Sequence, residues 1–353
     1  MARTIEEFVN ATEFAGGDLK KLAGDASARR YARVALGGKT AMVMDTPPEG
    51  ENFPAFVQIA EHLLNAGYSA PKVMARDMEN GFLLLEDLGD DSFSKLCCHL
   101  ALVAGSEFEN NISTRPRYKN GVTELELYET AIDLLAEWKI NTRHSREGGN
   151  LFLQIPAFAG MTKNTYLREV SLFPDWYLPR IFSEEKVANL RAEYMQIWEE
   201  ILANSALAQN IFVHRDFHAD NLMWLPEREG VKKVGLLDFQ DALLGDAAYD
   251  MVSLLEDARR DVAPELAQKM IERYLQQTDV DEKKFRNSYS ILGAQRNLKI
   301  IGIFVRLFVR DGKENYLRFL PRVWAHLERD LQHESLKVLR KWLDKNVPAE
   351  FRK

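Results

Sequence analysis

Three oxygen-bearing side chains stand out by type and spacing. Asp216 lies in His214-Arg215-Asp216, Asn221 closes the pattern H-R-D-x-x-x-x-N, and Asp238 ends the apolar run Val234-Gly235-Leu236-Leu237 and opens Asp238-Phe239-Gln240. A carboxylate placed just after a short strand, here residues 210–213, can point into a cleft, orient a hydroxyl and accept its proton. An amide oxygen and a second carboxylate are the hard ligands that Mg2+ prefers. Because that ion keeps several waters, one Asn, one Asp and phosphate oxygens suffice to hold it. The set suits phosphoryl transfer from a nucleotide to a hydroxyl, which asks a protein for a proton acceptor, metal ligands and alignment. Singly, each residue is as ordinary as a turn former or helix cap; the combination carries the reading. His214 reads as a brace for the loop, and His218 and Asp220 either shape the site or serve structure alone. No zinc-spaced Cys/His cluster, G-x-S-x-G or G-x-x-x-x-G-K-[ST] occurs, so a hydrolase or P-loop chemistry has no support.

The elements that must position these residues fall into two parts. Apolar spacing predicts a short helix over 4–18, then a hairpin with strands at 30–34 and 40–44 around Gly37-Gly38. Small residues 24–27 precede the hairpin and could offer backbone N–H groups, with Ser27, to phosphates; a plain surface turn would read the same. A helix is expected over 53–66, with Glu61 on its surface, and strand segments over 70–73 and 81–89. From residue 90 the pattern turns helical, with helices expected over 126–138, 183–202, 252–258, 264–276, 288–309 and 321–343. The result is an α+β layout: a β-rich N-terminal lobe, 1–88, and a mostly helical C-terminal lobe, 89–353. Residues 103–122 are polar and aperiodic and read as a loop. Residues 140–163, with Gly148-Gly149-Asn150 and Gly160 around a short apolar run, read as an insertion with no catalytic part.

Composition bounds the rest. With 353 residues, 46% apolar and 28% charged, the chain can build two packed bodies. A net charge of −7 argues against a nucleic-acid or anionic-membrane surface. The cysteines are two and adjacent, Cys97 and Cys98, which suits a reducing, cytoplasmic compartment. The charged N-terminus lacks a secretory core, and the most apolar stretch, 300–309, is short and interrupted by Arg306. Nothing in the pattern implies an obligate protein partner.

The motif pair resembles that of the aminoglycoside phosphotransferase-like kinases, a superfamily with the two-lobed protein-kinase fold that phosphorylates small hydroxylated molecules. More narrowly, residues 24–34 (GDASARRYARV), 44–48, 172–178 (LFPDWYL), 213–225, 235–262 and 295–324 are similar to the bacterial anomeric kinases of N-acetylmuramate and N-acetylglucosamine that serve cell-wall recycling. The resemblance implies ATP and Mg2+ as cofactors and the C1 hydroxyl of an amino sugar as acceptor. It implies Asp216 as base and Asn221 and Asp238 as metal ligands. Ser27, Arg30, Arg33, Glu86 and Leu88 are then expected at the nucleotide, the last two through a hinge backbone, although a core strand with a polar end would look alike. Glu169, Trp176, Asp241, Arg306 and Arg310 are the expected sugar contacts; for Trp176 a packing role, and for the arginines a structural ion pair, read equally from the residues. Protein kinases carry a phosphate-binding lysine on the strand that here reads Ala41-Met42-Val43-Met44-Asp45. With no lysine there, Arg30, Arg33 and Lys39 are the nearby basic candidates. Ala28 and Ala32 stand where an aromatic is common in that loop motif. The competing readings are a kinase of another small molecule, of the aminoglycoside, choline or homoserine type, and a nucleotide-binding pseudokinase.

Overall fold

The structure, a computed structural model, describes residues 3–22, 29–46, 53–97, 121–148 and 160–352. They group into two compact units, one drawn from residues Met1–Ala131 and Asp220–Ala242, the other from the chain beyond Ile132 outside that stretch. Ser27, most of the 103–122 segment and residues 149–159 lie outside the described residues.

The first unit is built on an antiparallel sheet of order β1-β2-β3-β5-β4, with β1 Asp18–Lys21, β2 Arg30–Leu36, β3 Lys39–Asp45, β4 Val73–Asp77 and β5 Phe82–Glu86. Alternation explains the strands. Ala32 pairs with Val43 and Val34 with Ala41, all four buried on one face. Gly37 and Gly38, at φ +59° and +80°, form the primed turn that a tight hairpin requires. Helix α1, Ile5–Val9, opens on a capping box between Thr4 and Glu7 and lays Phe8 on Phe82 with ring centroids 5.5 Å apart. The expected helix over 4–18 is thus a single short turn of helix. The Thr12 hydroxyl bonds the Val9 carbonyl, and Gly16 takes φ +76°, so the chain leaves the helix and becomes the unexpected edge strand β1. Helix α2, Phe53–Asn65, matches its expected span. A small hairpin of β7, Leu222–Trp224, and β8, Val234–Leu236, completes the unit.

The second unit is mainly helical. It takes the body of α3, Glu124–Gly148, then α4, Lys163–Val170, a π-helical turn Phe173–Tyr177, and α5, Glu184–Asn204. A two-stranded ladder follows, β6 Ile211–Val213 with β9 Leu243–Gly245. Helices α6 Ala248–Leu255, α7 Pro264–Gln277, α8 Glu282–Asp311, α9 Leu320–Asp330 and α10 Lys337–Asn346 close the chain. α8 is the spine: Asp281 caps its start, Gly312 at φ +68° ends it, and Gly302 lets Leu172 approach so closely that a Cβ would lie 2.4 Å from its carbonyl. The single helix expected over 321–343 is two. The His333 side chain accepts the Ser335 N–H and starts a new turn at that point. No helix among the described residues is long and apolar enough to cross a membrane.

Candidate active site

In the first unit the β7–β8 hairpin sets two of the three singled-out residues at one end. Leu222 faces Leu236 in the ladder, and the Leu237 N–H donates to the Asn221 carbonyl at 3.0 Å. Asn221 and Asp238 therefore leave the hairpin side by side. Gly235 keeps the ladder tight: a Cβ there would meet Met223 and Leu225 at 3.0 Å and Leu88 at 3.1 Å. The hairpin is anchored by the Leu236 N–H on the Ser69 carbonyl (2.7 Å) and the Trp224 N–H on the Asp91 carbonyl (2.8 Å). Asp238 itself has φ +60°, rare for a residue with a side chain. Its carboxylate is 46% exposed, accepts from Gln240 Nε2 at 2.9 Å, and lies 3.4 Å from an Arg29 guanidinium nitrogen. Phe239, the next residue, stacks on Phe56 at 4.8 Å and fixes the turn from below. A carboxylate and an amide at one hairpin end, one of them open to solvent and held in a strained backbone, fit a hard divalent cation with remaining positions for water and phosphate.

The expected nucleotide contacts divide. Arg33 is engaged inside the protein: it pairs with Asp87 at 2.8 Å and with Asp90 at 3.0 Å, and the Asp90 hydrogen bond outweighs burial to hold its guanidinium above the usual arginine range. Arg30 and Lys39 are exposed. Glu86 ends β5, gives its side chain to Arg228 at 2.6 Å, and donates its backbone N–H to Lys72. Leu88 reaches Gly235 of the hairpin. The Glu61 carboxylate meets Arg76 on the surface at 3.6 Å. Arg29, which the sequence reading passed over, is the buried one of the pair Arg29-Arg30. Its signal was available: two adjacent arginines at a strand start point to opposite faces.

In the second unit the loop after β6 carries Asp216. Phe212 and Phe217 pack edge-on to Trp138 at 4.7 and 5.7 Å, while the Asp250 carboxylate of α6 accepts the backbone N–H groups of His214 (2.7 Å) and Arg215 (2.9 Å). Arg215 takes φ +74° under this restraint. The loop is tightened further by the His218 N–H on the Asp216 carbonyl at 3.0 Å. Burial works against charge on Asp216, but the field of Lys299, with the arginines 296 and 215 behind it, prevails and holds the carboxyl below its ordinary range. It stays ionised and able to accept a proton. The His218 ring faces Arg259 at 3.3 Å, and burial pushes its pKa well down, so it is neutral.

Glu169, expected at the sugar, is instead saturated by protein donors. Oε1 accepts from Arg215 at 2.5 Å and Lys299 at 3.0 Å; Oε2 accepts from the Tyr249 hydroxyl at 3.2 Å and Gln295 at 2.9 Å. Burial raises its pKa, but the two cations and Gln295 overcome that and hold it down to about 2. Lys299 also donates to Tyr249 at 3.0 Å. Tyr249, Gln295 and Lys299 were missed in the sequence, although Gln295 and Lys299 sit one turn apart within the apolar stripe of α8, a sign of a buried polar network. Among the other expected sugar contacts, Trp176 is partly buried on the π-helical turn and Asp241 is exposed. Arg306 is partly buried, with its pKa lowered by burial and by Arg310. Arg310 is exposed and pairs with Asp311 at 2.6 Å.

Comparison with known proteins follows this geometry. A family profile described as the phosphotransferase enzyme family matches residues 18–285. The N-acetylmuramate/N-acetylglucosamine kinase of Caulobacter vibrioides is 35% identical over 376 aligned positions, covering 98% of this chain and 96% of that protein. Its namesake from Pseudomonas aeruginosa is 34% identical over 320 positions, covering 88% and 83%. Among solved structures, a choline kinase from Streptococcus pneumoniae superposes with a TM-score of 0.57 at 13% identity, covering 95% of this chain and 98% of that one. A putative aminoglycoside phosphotransferase from Ralstonia eutropha gives 0.59 at 14%, covering 95% and 97%. At such identity the likeness is one of fold, and the α+β kinase-like fold expected from the sequence is the fold of the chain.

Proposed function

Because the chain belongs to the phosphotransferase enzyme family, we propose that it transfers the γ-phosphoryl group of ATP to the anomeric C1 hydroxyl of N-acetylmuramate and N-acetylglucosamine. The observation that carries this reading is the 35% identity to a kinase of that name across 98% of the chain. As a member of a kinase family the chain uses ATP with a divalent metal, and Mg2+ is the ion that an Asn–Asp oxygen pair suits.

In the reaction, a bond forms between the C1 hydroxyl oxygen and the γ-phosphorus while the bond from that phosphorus to the β–γ bridging oxygen breaks. ADP leaves, and the hydroxyl proton passes to Asp216. An anomeric hydroxyl is more acidic than an ordinary alcohol, so an aspartate held ionised is a sufficient base. Asn221 and Asp238 are the proposed metal ligands; when bound, the metal neutralises charge on the β- and γ-phosphates. Residues 1–88 are proposed as the nucleotide lobe, with Ser27 and Arg30 near the phosphates and the backbone around Glu86 and Leu88 at the base. Residues 89–353 are proposed to bind sugar, through Trp176, Asp241, Arg306 and Arg310. Glu169, with all its acceptor capacity taken by the protein, is proposed to order Arg215 and Lys299 from behind instead. The need for ATP suits a cytoplasmic site of action, which is proposed with it.

Incubation with ATP, Mg2+ and each sugar, followed by phosphorus NMR of the product, tests the proposal. A sugar 1-phosphate is expected from both. Turnover of aminoglycosides or choline alone would reassign the acceptor, and a 6-phosphate would reject the anomeric chemistry.

A further inference from the structure

A guanidinium drawn out of water is costly unless an acceptor meets it. The other half-buried and buried arginines of the helical unit show how that cost is met: Arg215 lies on Glu169, Arg273 on Asp133, Arg296 on the Ser253 hydroxyl and Arg352 on Glu328. Arg306 of α8 is different. It is partly buried, and its Nε–H is closed off from solvent and donates to nothing. Among the described residues no side chain pairs with it. The carboxylate whose field reaches it, Asp311, is already held by Arg310 at two points, 2.6 and 2.8 Å. Burial and the neighbouring Arg310 both press against its charge.

The position of this arginine on α8 gives it a task. Gln295 and Lys299 bind Glu169, which also holds Arg215, the neighbour of Asp216. Arg306 lies seven residues beyond Lys299 on the same stripe of the helix, about 10 Å further along its axis. A helical side chain leans back toward the N-terminus, here toward Lys299. Gly302, one turn before Arg306, is where the chain at Leu172 comes hard against α8, and this seats the π-helical turn Phe173–Tyr177, with Trp176, beside the same stretch. The two proposed acceptors differ by one group: N-acetylmuramate carries a lactyl ether whose carboxylate N-acetylglucosamine lacks. We propose that Arg306 is the specificity-determining residue that binds this carboxylate, so that the acid of one substrate supplies the counter-ion the protein withholds. The inference rests on the amino-sugar reading and deepens it. An arginine meets a carboxylate with two parallel N–H donors, and such a pair gains strength away from water. Arg310 has given its fork to Asp311; of the two arginines expected at the sugar, Arg306 is the one with its fork open.

Steady-state kinetics of the full chain with ATP and Mg2+ test this on three acceptors: N-acetylmuramate, its lactyl methyl ester and N-acetylglucosamine. Arg306→Gln is expected to lower the ratio of kcat/KM for N-acetylmuramate to that for N-acetylglucosamine at least ~10-fold, chiefly through the KM of the acid. Wild type should prefer the acid to its ester, the variant should treat the two alike, and Arg306→Lys should recover part of the preference. An unchanged ratio in Arg306→Gln would overturn the proposal, whether all three acceptors kept their rates or lost them equally, since an equal loss is the mark of a residue that only supports the fold. Wild type that phosphorylates neither sugar would reject the acceptor reading and this proposal with it. Wild type active on both sugars but indifferent to esterification would reject the carboxylate contact alone.

Discussion

The carboxylate of Asp250 accepts the backbone N–H of Arg215 at 2.9 Å, and that of His214 at 2.7 Å, from a helix thirty-odd residues further along the chain. The pair of bonds holds Arg215 at φ +74° and so decides where Asp216, the next residue, begins. A loop in a sparsely populated conformation persists only when its surroundings over-determine it.

Replacing Asp250 by Ala leaves two N–H groups without their acceptor, one of them buried. At about 1–3 kcal/mol for each unsatisfied buried donor, the variant should lose about 2–5 kcal/mol of stability, read from urea midpoints. Turnover in the folded fraction should fall by at least ~10-fold, because a displaced base loses alignment before it loses affinity. Asp250→Asn keeps one acceptor oxygen and should lie between. A fully active, fully stable Asp250→Ala protein would show that the loop is fixed by other means.

Asp216→Asn tests the proposed proton acceptor itself. The amide fits the same space but cannot take a proton, so kcat should drop by at least ~10²-fold with nucleotide affinity little changed. Titration of a non-hydrolysable ATP analogue into the variant checks the second half. Wild-type turnover in Asp216→Asn would remove the residue from the chemistry.

The parts of the proposed site that could be read in the sequence are those whose spacing is local. Asp216 and Asn221 share one loop, and Asp238 ends an apolar strand, so a short window holds the pattern. The hairpin that places Asn221 next to Leu237 was half visible: β8 reads as apolar, whereas β7 is three residues between two turns, too short for a period to show. What could not be read are contacts closed only by packing. Glu169 meets Arg215, Tyr249, Gln295 and Lys299 from two separate helices and a loop, and a glutamate on a helix looks the same whether it meets sugar or protein. Arg33 looked available until the fold brought Asp87 and Asp90 to it. The 4–18 helix failed for a local reason of the kind propensity underweights, a threonine hydroxyl taking a helix carbonyl just before two glycines.

Asp238 and Asn221 should separate by charge. Removing Asp238 takes away the proposed negative ligand, so Asp238→Ala is expected to weaken binding of the Mg2+–nucleotide complex by at least ~10-fold, with the deficit partly reversed at high Mg2+. Asn221→Ala removes a neutral oxygen, and a smaller loss is expected. Mg2+ titrations of nucleotide binding report this directly. If the two variants bound Mg2+–nucleotide as tightly as wild type, the hairpin end would not be the metal site.

Glu169→Gln examines the buried network from the other side. The variant keeps the shape but leaves Lys299 and Arg215 without a countercharge in a largely dry site. Breaking a buried pair in this way costs about 3–5 kcal/mol, far more than the substitution of a surface glutamate. The sign of the pH effect follows from the carboxyl being held down to about 2, below its ordinary value near 4.5. Its contribution is fully present above pH 4.5 and is lost as pH falls from there toward 2. The stability difference between wild type and Glu169→Gln, measured by chemical denaturation, should therefore be constant from pH 8 to about 5 and shrink below that. Activity should fall with the variant through Arg215, while KM for the sugar changes less than kcat. A variant as stable as wild type with only its sugar KM raised would return Glu169 to the substrate site that the sequence first assigned it.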